Sequence, residues 1–238
     1  MQLMRGEKEQ DYLTHIWNLT SMMDHPIIAK EEDQDEACYR QFYEEAISLC
    51  RQKRFHEVLE KCRYTSLDDE EEYSIDVIQP EKIEFKQNSY EDGENSIISF
   101  PEFLLLVLDV CTGGEQPASH YQPDKLIEKF DALKTYFTAG EFYEKMLYYR
   151  LLLDYYTIRR DIKDGQGNYS LILKGPKDDS DKLKQYQSML YVSTEAFYNW
   201  LKPYLRKLEQ DELHSCAEML AFLKKEDNER HSILPVSY

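Results

Sequence analysis

The chain has 238 residues, of which 42% are hydrophobic, 13% aromatic and 32% charged. That length and apolar content suffice for one large or two small packed domains and exclude a disordered composition. Its 29 basic and 46 acidic residues leave a formal net charge of −17, which repels phosphate backbones and disfavours autonomous nucleic-acid binding. A basic protein or a basic neighbouring domain is the natural partner, although acidic charge also serves plain solubility. The charge is uneven: residues 1–98 hold 11 Lys/Arg against 24 Asp/Glu, and residues 99–238 hold 18 against 22.

The longest apolar run, Phe103 to Leu108, is far short of the roughly 20 residues that span a bilayer. The opening MQLMRGEKEQ has no apolar signal core, so a cytoplasmic location without membrane association is expected. Five cysteines at 38, 50, 62, 111 and 216 show no CxxC spacing. They are expected to be reduced thiols, most of them buried as small hydrophobes.

In chain order, Glu7 to Asp24 reads as a helix carrying Leu13, Ile16, Trp17 and Leu19, ended by His25-Pro26. Phe42, Ala46, Leu49 and Cys50, then Phe55, Val58, Leu59 and Cys62, recur at helical spacing on either side of a turn near Lys53. Residues 67–98 read as an acidic linker or small hairpin. The segments YSIDVIQ and KIEFKQ alternate around Pro80, compatible with a hairpin over 73–87, and Asn88 to Asn95 reads as an exposed turn.

Ser99 is placed to cap a helix whose run FPEFLLLVLDVC is apolar on nearly every face, the mark of a buried central helix, and Gly113-Gly114 stop it. Pro123 starts the next helix. Gly140 precedes a long aromatic one through Phe142, Met146, Tyr149, Leu153 and Tyr156. TIRRDI and NYSLILK, joined by KDGQG, predict a hairpin over 157–174. Helices follow over Lys182 to Val192, Thr194 to Leu208 (kinked or ended by Pro203) and Asp211 to Lys225, before an irregular tail. The fold class is therefore mainly α: a multi-helix bundle with one small hairpin and room for a second. Its segments are 1–66, 67–98 and 99–238, of which the first and last can pack as one unit.

Six scattered histidines lack HxxxH or HxH spacing, and GxSxG, GxxxxGK[ST] and GxGxxG are absent. No catalytic, cofactor or metal residue is therefore expected in this chain. The local cationic feature is Arg159-Arg160, with Arg150 on the preceding helix. These three are candidate contacts for a partner or a phosphate, set against ion pairing with Asp154 and Asp161 as the simpler role. Asp164-Gly165-Gln166 suits a type I′ turn.

Three segments carry a family resemblance. They are THIWNLTSMMDH; ISFPEFLLLVLDV with PDKLIEKFDALKTYF; and YYRLLLDYYTIRRDIKDGQGNYSLIL followed by KQYQSMLYVSTEAFYNWL. In this order they resemble the helical region that follows the catalytic domain in GmrSD-like proteins, also filed as domain-of-unknown-function family 262. The resemblance implies restriction or phage defence, with nucleotide hydrolysis and DNA cleavage belonging to an N-terminal ParB-like or sulfiredoxin-like domain that bears a DGQQR motif. That motif is not matched here: Asp164-Gly165-Gln166-Gly167-Asn168 lacks the second Gln and the Arg. The resemblance thus implies a non-catalytic helical part that binds or regulates a ParB-like half. A free-standing helical interaction module is the alternative, and a site assembled around Arg150, Arg159 and Arg160 is a third. Met1 is either a true start or internal to a longer frame.

Overall fold

The computed structural model of the protein describes residues 2–30, 35–63, 93–163, 168–176, 180–193 and 196–233. Helices α1 (Gln2–Ser21), α2 (Glu36–Arg51) and α3 (Phe55–Lys61) lead to strand β1 (Gly93–Ser96) and α4 (Phe100–Cys111). After two 3₁₀ turns come α5 (Leu126–Leu133) and α6 (Ala139–Tyr156), then the hairpin β2 (Arg159–Ile162) and β3 (Tyr169–Ile172). Helices α7 (Ser180–Val192), α8 (Phe197–Glu209) and α9 (Cys216–Ile233) complete the described chain. The protein is mainly α with a small antiparallel sheet. Among the described residues no helix is long and apolar enough to cross a membrane.

The centre is α6, which packs against α1, α2, α4 and α8. It is buried on all sides, from Met146 through Tyr155, so its apolar residues follow no single-face period. Helix α4 meets the expectation of a buried helix: Phe103 to Leu108 are all at most 5% exposed. Ser99 and Glu102 form a capping box at its start, and Thr138 and Glu141 form another at the start of α6. One hydrophobic core runs from Ile16 in α1 to Leu223 in α9, so the helices within 1–66 share it with those within 99–238.

Several sequence expectations are corrected. Gly93–Ser96 is not an exposed turn but the first strand of the sheet, because β2 offers it a partner: Glu94 faces Asp161 and Ser96 faces Arg159. Gly140 lies inside the first turn of α6, behind the Thr138 cap. Pro203 neither ends nor shortens α8, which continues to Glu209. The last helix starts at Cys216 rather than Asp211 and extends to Ile233. Asp211 is instead a left-handed residue, φ 57°, that closes α8. The expected hairpin over 73–87 and the turn at 164–167 lie outside the described residues.

Candidate functional site

The three arginines singled out by sequence come together with β1 and the α1–α2 connection, but Arg150 and Arg159 face inward and Arg160 is half-buried. Arg150 and Asp154, four residues apart on α6, lie on one face and are fully buried. Asp154 Oδ1 accepts from Arg150 Nε at 2.9 Å and also from Arg159 Nη1. Its Oδ2 accepts from the Ile27 amide at 2.9 Å and lies 3.4 Å from Tyr43 Oη, which itself donates to Ile27 O. The remaining Arg150 donors reach the carbonyls of Thr20, Met22 and His25 at 3.0, 2.8 and 2.6 Å. Arg150 therefore caps the C-terminal end of α1, where orphan carbonyls and the helix dipole both favour a cation.

Arg159 donates from Nε to Glu94 O at 2.9 Å, and Arg160 donates to Ser96 O at 2.8 and 3.1 Å. Both clamp β1 to β2. Arg159 is 2% exposed and pairs with Asp154, whereas Asp161 takes Lys163 as its cation. The ion pairing with Asp154 holds for Arg150 and Arg159, while Asp161 pairs with none of the three; a surface contact through Arg150 or Arg159 is corrected, because their donors are spent on the fold.

A second buried acid, Asp109 near the end of α4, accepts from Lys202 Nζ at 3.0 Å, from the Gln116 amide at 2.9 Å and from Tyr121 Oη. Like Asp154, it is saturated by internal donors.

An open concavity lies elsewhere, in a cleft of about 720 Å³ that sequence reasoning missed. Three helices end there. Helix α2 brings Cys50, Arg51 and Lys53, α4 brings Val110 and Cys111, and α8 brings Glu209 and Asp211. Each terminus closes by the same hydrogen-bond pattern. Arg54 N donates to Leu49 O, Gly114 N to Asp109 O and Glu212 N to Lys207 O, at 2.9, 2.7 and 3.1 Å. The residue that turns left is Gly113 in α4, but Lys53 (φ 59°) and Asp211 (φ 57°) in the other two. The N-terminal part of α6 supplies Glu141, Glu144 and Lys145, and Phe55, Phe137 and Tyr136 add aromatic surface.

Charges in the cleft are mostly matched. Arg51 pairs with Asp211 at 2.9 Å, and Lys145 pairs with Glu209, which also accepts from Tyr149 Oη at 2.6 Å. Lys53 helps to hold the Glu141 carboxyl below its ordinary value, after the larger effect of the Thr138 amide and hydroxyl. Burial pushes the Cys50 thiol up and the Cys111 thiol up to about 12, which disfavours the reactive thiolate at neutral pH. Among the described residues no group of three or more His, Cys, Asp or Glu is placed to hold a metal ion.

No protein family, curated protein or solved structure matches the chain.

Proposed function

We propose that this chain is the non-catalytic helical part of a GmrSD-like restriction or phage-defence system, which binds and regulates a ParB-like nuclease or NTPase half. The observation that carries this reading is how the segments bearing the resemblance meet. Arg150, in the third, donates to the carbonyls of Thr20, Met22 and His25 in the first. Trp17 of the first meets Phe100 of the second edge-on at 5.1 Å. Asp109 of the second holds Lys202, which directly follows the third. Segments that resemble a family through their packing residues form one physical unit here, as a shared fold requires.

The test is to mix the purified chain with a DGQQR-bearing protein encoded beside it and measure mass by light scattering after gel filtration. A stoichiometric complex with altered nucleotide hydrolysis is expected. Separate elution at micromolar concentrations of both proteins overturns the proposal.

The second reading, a free-standing interaction module in a cytoplasmic pathway, is favoured by the cleft, which is open without any second domain. It predicts a complex with some other protein and none with a DGQQR protein.

A further inference from the structure

The cleft at the ends of α2, α4 and α8 has an electrostatic bias that its formal charges understate. Three helix C-termini converge on it and one N-terminus, that of α6, opposes them. Each C-terminus carries roughly half a negative charge on its last carbonyls. Four carboxylates line the same space against three cations. Arg51 is matched to Asp211 and Lys145 to Glu209, and the Glu141 carboxylate is taken up by the Thr138 amide and hydroxyl. Glu144 is left over: Tyr12 Oη donates to its Oε1 at 3.1 Å, and among the described residues no cation pairs with it. Phe55, Phe137, Tyr148 and Tyr136, the last 69% exposed, line the same cleft. An acid beside aromatic surface suits a cation with an apolar stem.

We propose that this cleft receives a lysine or arginine side chain from a protein partner, with Glu144 as its counter-ion and the aromatic residues packing along its stem. This rests on the partner-binding reading above and on charge complementarity with a chain of net charge −17. An anionic ligand would face Glu144 and three negative helix ends. A bare inorganic cation would leave the aromatic surface unused.

The test uses the full chain and a fluorescein-labelled Gly-Lys-Gly-Lys-Gly peptide, read by fluorescence anisotropy at about 150 mM salt, where remote charges are screened beyond about 8 Å. Glu144→Gln keeps an acceptor for Tyr12 and removes only the charge. It is expected to weaken binding about tenfold, and Glu144→Lys to abolish it. Asp181→Asn, an exposed acid on α7 outside the cleft lining, is expected to leave binding unchanged. Equal weakening by Glu144→Gln and Asp181→Asn, or no binding by the wild-type chain, overturns the site. Thermal melting of each variant separates lost binding from lost folding. The same variants mixed with the DGQQR protein distinguish the two proposals. A complex indifferent to Glu144→Gln overturns the site alone, whereas Glu144-dependent peptide binding with no complex overturns the choice of partner alone.

Discussion

Arg150 Nε lies 2.9 Å from Asp154 Oδ1, one helical turn along α6, and both side chains are 0% exposed. Arg159 shares the same carboxylate, so two guanidinium groups depend on one acid and on main-chain carbonyls. Asp154→Ala removes the only anion of the trio and leaves two cations buried. The expected cost is about 3–5 kcal/mol, read as a lower urea midpoint. A loss under about 1 kcal/mol would show that the carbonyls alone sustain both arginines.

Arg159 and Arg160 are neighbours in sequence with unequal roles. Arg159 is buried against Asp154 and Glu94 O, whereas Arg160 is half-buried and reaches Ser96 O and the Tyr191 hydroxyl. Treated as an exposed pair they would matter little, about 0–1 kcal/mol. Instead Arg159→Ala is expected to destabilise by about 3 kcal/mol or more, because it strips a buried carboxylate of a partner. Arg160→Ala is expected to cost about 1 kcal/mol. Equal losses in chemical denaturation would refute the distinction.

The contrast shows what was legible in the sequence. Caps and periodicity located α2, α4 and α5 because Ser99, Pro123 and the spacing of Phe42, Ala46 and Cys50 act within a few residues of themselves. Arg159-Arg160 reads as a surface dipeptide because its partners, Glu94 O and Ser96 O, are main-chain atoms more than 60 residues away. Strand β1 was missed for the same reason: GENS has turn chemistry and becomes a strand only through its register with β2. The cleft was illegible because its lining comes from the ends of helices far apart in sequence, and a helix end carries no mark of what it will face.

His120 supplies a pH dependence. It is 1% exposed, its Nε2 lies 2.9 Å from Leu105 O, and its buried Nδ1 has no hydrogen-bond partner. Burial lowers its pKa from the ordinary 6.5, with Lys129 and Lys202 acting in the same direction and the Leu105 carbonyl and Asp109 opposing. Between the folded and unfolded values the unfolded chain holds the additional proton, so stability is full above about 6.5 and falls as the pH drops toward the folded value. His120→Gln is expected to flatten this slope between pH 4 and 7 in urea titrations. An unchanged slope would assign the acid sensitivity to other groups.

Thiol chemistry should divide the cysteines sharply. Cys38 is exposed, whereas Cys50, Cys62 and Cys216 are at most 4% exposed. Burial pushes the Cys62 and Cys111 thiols up to about 12. At pH 8 an aromatic disulfide reagent is expected to label one thiol rapidly in the native protein, and Cys38→Ser is expected to remove that phase. A second fast thiol would mean that the cleft bearing Cys50 and Cys111 opens on the timescale of labelling.

Two glycines make a paired test of the backbone. A Cβ on Gly175, just after the hairpin, would lie 1.7 Å from Tyr155 O and 2.8 Å from its carbonyl carbon. Those are main-chain atoms near the C-terminal end of α6, so no rotamer relieves the contact and the chain itself must shift. Gly175→Ala is expected to cost about 3 kcal/mol or more, at or above the upper end for overpacking. At Gly140 a Cβ would meet no atom within 4 Å, and the residue is already helical. There alanine reduces the freedom of the unfolded chain and is expected to stabilise by up to about 1 kcal/mol. Opposite signs in thermal melts follow if the hairpin is seated directly on the end of α6. A harmless Gly175→Ala would refute that seating.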